Sequence, residues 1–178
     1  MLMKTLNSVM EIKSLNPQGL FIGYASVFGI LDEQGDRIAP GAFLNSLRTW
    51  QERSQMPKLL WQHKPSEPIG YWKQIREDKQ GLYVEGQLLL DIQRAREAYA
   101  LMCSRVLDSL SIGYRVVESY RCGETHQRVL THLDLMEISL VTFAANPHAR
   151  IRAVKSHHMD DEFYIPDVSK LIEILLKP

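Results

Sequence analysis

The sequence predicts a mainly β protein with helices, of the α+β class. About seven antiparallel strands should form a closed or nearly closed barrel surrounded by helices. Three observations predict it. The chain has 178 residues, 45% apolar and 24% charged, which suits one domain with a real core. Strand-length segments with alternating or β-branched apolar residues recur and are joined by hairpin-type loops. Only two or three segments carry helical spacing, and they do not alternate regularly with the strands, which argues against a parallel sheet.

Val9–Lys13 reads as a strand, followed by a turn at Asn16-Pro17-Gln18-Gly19. Leu20–Phe28 is a second strand, and Leu31–Arg37 a polar loop. Pro40-Gly41-Ala42-Phe43 opens a helix to about Glu52, with Phe43, Leu47 and Trp50 on one face. Strands follow at Lys58–His63, Ile69–Arg76 and Leu82–Leu90, the last two joined by a hairpin loop at Glu77–Gly81. Asp91 is placed to cap a helix to about Ser104, whose apolar stripe is Ile92, Ala95, Tyr99, Met102 and Cys103. Further strands cover Ser109–Tyr120, Arg128–Leu133 and Leu135–Phe143, with a break at Asn146-Pro147. A polar stretch, Lys155–Glu162, precedes a last helix from Asp167 that uses Val168, Leu171, Ile172 and Leu175.

Lys+Arg and Asp+Glu both number 21, so the formal net charge is zero. A dominant nucleic-acid or anionic-membrane role needs surplus positive charge, and neither partner is expected. Two cysteines, Cys103 and Cys122, exclude a disulfide scaffold and a four-thiolate zinc site. They read as a reduced pair. The first residues hold no apolar run of signal-peptide length, and no stretch reaches a membrane span. The expected compartment is the cytoplasm, or a particle assembled there. No GxGxxG, GxxxxGK[ST], HExxH or GxSxG occurs, so no dinucleotide, nucleotide-phosphate or zinc-protease chemistry is indicated. His126, His132, His148, His157 and His158 show no i, i+4 pair, and His157-His158 beside Asp160-Asp161 reads as a solvated stretch. A cysteine hydrolase using Cys103 or Cys122, the latter near His126, is an alternative that thiol alkylation would test.

Three positions stand out in strand surroundings. His63 follows Leu59-Leu60-Trp61-Gln62 and precedes a proline-containing loop, where a general base can face substrate. Position alone favours a rim histidine. Ser111 shares a small, polar strand face with Ser109, Gly113 and Arg115, opposite Leu110, Ile112, Tyr114 and Val116. The glycine permits close backbone approach, as a nucleophile needs, though the face also suits a solvated strand side. Glu137 lies among Leu133, Leu135, Val141 and Phe143, with Met136, Ile138 and Leu140 on the other face, so both faces are expected to be buried. A carboxylate there needs a partner. It either orients a histidine or pairs with an arginine such as Arg115. Together the three supply a base, a nucleophile and an orienting acid.

These segments resemble the prohead maturation proteases of tailed bacteriophages, a family structurally related to the herpesvirus assemblins. The resemblance covers about residues 20–150. It runs through Gly23–Phe28, Asp36 to Phe43, Leu59–His63, Pro68-Ile69-Gly70, Leu110–Tyr114, Leu135–Thr142 and Asn146-Pro147. It implies an assemblin-like β-barrel and a serine endopeptidase without metal or organic cofactor, with Ser111 as nucleophile and His63 as base. Glu137 is the chosen third member, with His132 as runner-up and Asp134 as a further option. Arg150 or Arg152 is a weaker candidate for the oxyanion site. The implied substrates are the scaffolding part of the major capsid protein and the protease itself, inside the assembling prohead in the host bacterial cytoplasm. Dimerisation is a further implied arrangement. On this reading, residues 1–154 form the catalytic domain, and 155–178 a polar linker and C-terminal helix serving as a targeting or removable tail. The alternative is a catalytically lapsed capsid-assembly or scaffold protein.

Overall fold

The computed structural model describes residues 19–155. The expected strand at Val9–Lys13 and helix from Asp167 lie outside them. In chain order the elements are β1 (Leu20–Val27), β2 (Asp36–Ile38), α1 (Leu44–Glu52), β3 (Lys58–Trp61), β4 (Lys64–Glu77), β5 (Gly81–Leu88), α2 (Gln93–Cys103), β6 (Ser109–Arg121), β7 (Arg128–Val141) and β8 (Ile151–Val154). The expectation of a mainly β chain with helices holds for the described residues.

All eight strands belong to one sheet, ordered β2-β7-β3-β4-β5-β1-β8, with β6 pairing β7 on its other side. The expected barrel is not formed as a closed ladder. β6 meets the residue just before β8 at one isolated bridge, Ser109 with Arg150. Two backbone hydrogen bonds flank it, Leu110 N–H to Ala149 O at 2.9 Å and Ile151 N–H to Asp108 O at 2.8 Å. β8 has four residues, too few to carry the pairing further.

The sheet is also mixed rather than antiparallel. β2 and β3 both run parallel to β7, pairing at Arg128–Leu130 and Glu137–Leu140. The span between them is filled by the connecting segment. Leu133 N–H donates to Ala42 O at 2.9 Å, Leu135 N–H to Ser46 Oγ at 2.9 Å, and Trp50 Nε1–H to Leu135 O at 2.8 Å. Helix α1 thus satisfies backbone groups of β7 that would otherwise lack a ladder partner. Its own start is held by Glu77, whose carboxylate accepts from the N–H groups of Gly41 and Phe43 at 2.8 and 2.6 Å. A negative charge there also complements the helix dipole.

Other expectations are corrected. The two strands placed at 128–133 and 135–143 are one strand, β7, because β6 pairs along its length with register shifts. α2 begins at Gln93, and Asp91 makes no cap: Ile92 occupies the cap position without a side-chain bond. Ile92 is exposed, and Ala98 takes its place in the buried stripe with Ala95 and Met102. Met136 is 43% exposed and Phe143 87%, so neither flanks Glu137 with buried surface. The core instead collects Phe21, Leu59, Ile69, Leu82, Leu88, Leu110, Leu130, Leu135, Ile138 and Leu140, all essentially inaccessible. Each such side chain stabilises by about 1.5–3 kcal/mol on burial. Leu110, Ile138 and Leu140 pack directly beneath the strand positions that carry the candidate site.

Candidate active site

β6 and β7 place four side-chain positions opposite one another. In the antiparallel register Ser111 faces Ser139, and Gly113 faces Glu137. Residues two apart on a strand share a face, so Ser111, Gly113, Glu137 and Ser139 line one side. β3 lies on the far edge of β7, with Leu60 beside Ser139 and Trp61 beside Leu140. The chain then turns, and the next residues are Gln62 and His63.

This turn is not a proline-containing loop. Trp61 pairs with Lys64, so Gln62 and His63 are a two-residue hairpin connection, and Pro65 already belongs to β4. Both turn residues have positive φ, 51° and 58°. Tight hairpins of this kind favour Asn-Gly, because most L-residues are strained there. Each such residue costs about 1–3 kcal/mol. Contacts to β7 and to Thr142 just beyond it hold the strained backbone. Gln62 N–H donates to Leu140 O at 2.9 Å, and Gln62 Nε2–H to Thr142 Oγ1 at 2.9 Å. His63 N–H donates to Ser139 Oγ at 3.1 Å.

His63 Nδ1 lies 2.6 Å from Glu137 Oε1. An ionised carboxylate only accepts, so Nδ1 carries the proton and Nε2 is left free as a base. The other carboxylate oxygen, Oε2, accepts from Ser139 Oγ–H at 2.6 Å. Glu137 is 14% exposed and His63 43%. The carboxylate is therefore largely buried and partnered, while the imidazole reaches the rim. Of the two partners left open for Glu137 by the sequence, it meets the histidine; Arg115 stands opposite Asp134 in the β6–β7 register.

Gly113 explains the space. A Cβ there would sit 2.2 Å from Glu137 Oε1. The close approach expected at this glycine is made by the glutamate side chain, not by another backbone.

Ser111 is 9% exposed and lines, with His63, a cleft of about 720 Å³. Gly113, Tyr114, Arg128, Asp32, Glu33 and Asn146 also border it. Asp32 Oδ1 accepts from the N–H groups of Gln34 and Asp36 at 2.9 and 2.8 Å, which fixes this acidic wall. Arg128 Nε donates to Asp36 Oδ1 at 2.8 Å. Burial, then the charges of Asp32 and Asp36, push the Tyr114 hydroxyl up, so it stays protonated in the cleft at neutral pH.

The remaining candidates lie apart. His132 Nδ1 is 2.6 Å from Glu118 Oε2, and Asp134 is exposed on β7; neither lines the cleft. Arg150 is engaged by Asp108 Oδ1 at 2.6 Å and Ser109 Oγ at 2.8 Å, and Arg152 sits on β8, away from Ser111. Cys103 and Cys122 are free thiols outside the cleft. The Cys122 thiol is lowered first by its hydrogen bond with Thr125, in the β6–β7 turn. Among the described residues no group of three or more His, Cys, Asp or Glu is arranged to hold a metal ion. His157 and His158 lie outside them. No described helix is long and apolar enough to cross a membrane. Sequence reasoning did not single out Ser139, although its i+2 spacing from Glu137 already put both on one strand face.

Comparison with known proteins agrees with this architecture. The prohead protease of Enterobacteria phage HK97 is 39% identical over 141 residues, which are 78% of this chain and 61% of that protein. A capsid polyprotein of Pseudomonas phage PAJU2 is 29% identical over 158 residues, 84% of this chain and 22% of the polyprotein. The chain thus spans under two thirds of either relative. The bacteriophage T4 capsid assembly protease superposes with a TM-score of 0.53 at 6% identity, covering 68% of this chain and 82% of that one, a likeness of fold alone. The family model for the caudovirus prohead serine protease matches residues 8–162, and the chain belongs to that family.

Proposed function

We propose that this chain is a serine endopeptidase acting in prohead maturation, with Ser111 as nucleophile, His63 as general base and Glu137 as the orienting acid. The observation that carries it is the 2.6 Å contact between His63 and Glu137 at a cleft that Ser111 lines. It occurs in a chain of the prohead serine protease family. Glu137 holds the imidazole with Nδ1 protonated. Nε2 takes the Ser111 hydroxyl proton as Oγ attacks a peptide carbonyl, and then delivers it to the leaving amine. The carboxylate stabilises the imidazolium formed between these steps. The acyl-enzyme is released by water, which His63 activates in the same way.

The substrate on this reading is the scaffolding part of the major capsid protein, and the protease itself, inside the closing shell. The PAJU2 relative, a capsid polyprotein, supports a capsid partner. Self-association of two copies belongs to the same reading. Coexpression with the cognate capsid protein, wild type against Ser111→Ala, tests it by mass spectrometry of the shells. Removing a catalytic-triad residue lowers turnover by up to about 10⁶. Scaffold loss only with wild type is the expected result. Equal processing by both removes Ser111 as nucleophile, and no processing by either favours a lapsed assembly protein.

A further inference from the structure

We infer that Ser139 is a positioning residue of this site, acting through both His63 and Glu137. The inference rests on the reading that Ser111, His63 and Glu137 do the chemistry, and adds a fourth member that never touches substrate. Ser139 is fully buried, opposite Ser111 in the β6–β7 register. Its hydroxyl does two things at once. As a donor it occupies Glu137 Oε2 at 2.6 Å, and as an acceptor it takes the His63 N–H at 3.1 Å.

With the 2.6 Å contact of His63 Nδ1 to Oε1, these bonds close a ring: His63 backbone, Ser139 hydroxyl, Glu137 carboxylate, His63 imidazole. The ring has a mechanical purpose. His63 sits at φ 58°, next to Gln62 at 51°, in a turn that neither residue favours. A base on a strained, half-exposed turn would wander. Ser139 ties the turn's backbone to the same carboxylate that orients the ring, so backbone and imidazole are set by one group. It also leaves Glu137 Oε2 with no freedom to rotate away. Misplacing a reacting group by about 1 Å lowers rate roughly 10²-fold, which is the scale at stake.

The test is kinetic, on the whole chain with a capsid-derived peptide. Ser139→Ala is expected to lower kcat roughly 10- to 100-fold with KM unchanged, and Ser139→Thr, which keeps the hydroxyl, to restore most of it. In a Glu137→Gln background, Ser139→Ala should add little, because the group it acts through is already impaired. A structural role predicts instead an equal loss in both backgrounds, and that result overturns the inference. Wild-type kcat in Ser139→Ala overturns it too. If Ser139→Ala lowers the melting temperature, Ser139→Cys replaces it, filling the site with a weaker donor, with the same loss expected. Ser111→Ala runs alongside: turnover that survives it overturns the catalytic reading and this inference together, whereas a Ser111-dependent wild type with an unaffected Ser139→Ala overturns this inference alone.

Discussion

β4 is entered and left through two short turns that solve the same geometric problem in opposite ways. At its C-terminal end, Asp78-Lys79-Gln80-Gly81 uses residues that suit a turn. Asp78 Oδ1 accepts from the N–H groups of Gln80 and Gly81 at 2.8 and 3.2 Å, and its other oxygen takes the Tyr24 hydroxyl at 2.8 Å. At its N-terminal end, Gln62 and His63 occupy left-handed backbone that their side chains disfavour, and bonds to β7 hold them there. The first turn is stable through its own chemistry. The second exists because the fold imposes it, and it places an imidazole where a relaxed turn would put Asn-Gly. Strain is held at the turn that carries the proposed base and is absent from the other, as the proposed function predicts.

The comparison breaks most sharply at His63. His63→Gly suits the positive φ and removes the imidazole, so proteolysis should fall by about 10⁴-fold or more. Glycine relieves the strained φ, while His63→Gly and His63→Ala both strip Glu137 of its partner, so His63→Gly should melt above His63→Ala. A scan together with a cleavage assay checks both, and equal melting of the two variants would mean the turn is not strained. Gly113→Ala should come next. Its Cβ meets Glu137 Oε1 at 2.2 Å, so the carboxylate must leave His63, and kcat should drop roughly 10²-fold. Ser111 labelling by a phosphonate probe reads this directly.

The other turn should respond the opposite way. Asp78→Ala removes the acceptor of several turn and tyrosine bonds and is expected to destabilise by about 1–3 kcal/mol by denaturant titration, with kcat unchanged. The smallest effect concerns pH. Burial works against the Asp78 charge, but the Gln80 and Gly81 N–H groups, the Tyr24 hydroxyl and Arg76 outweigh it and hold this carboxyl below its usual range. A depressed folded-state value means stability present above the unfolded value, about 3.9, and lost as pH falls through the folded one. Wild type should therefore lose melting temperature below about pH 4 more steeply than Asp78→Asn.

Much of the site is legible in the sequence. His63, Ser111 and Glu137 stand out as unusual residues at strand positions, and two of them, His63 and Glu137, meet in space at 2.6 Å. Glu137 is conspicuous because a carboxylate in an apolar strand needs a partner. The identity of that partner is not legible, since Arg115 and a histidine serve equally well on burial grounds. Ser139 is hidden by its ordinariness: a serine in a strand signals nothing until the residue opposite and the turn beside it are known.

The sequence alone missed the short strands β2 and β8 but determined the mainly β class with helices, the hairpin between β4 and β5, and the candidate residues. These are local matters, settled by two-residue alternation, turn chemistry and the scarcity of charge in apolar runs. Tertiary structure alone decided that β2 and β3 lie parallel on one edge of β7, that α1 fills the gap between them, and that the sheet does not close as a barrel. It also decided that Gln62-His63 adopts left-handed backbone. Each depends on groups far apart in the chain, Lys58 with Glu137 or Ser46 with Leu135, whose pairing is set by which buried backbone groups remain to be satisfied. No local pattern encodes that remainder, and only once it is resolved does His63 meet Glu137 and share a cleft with Ser111.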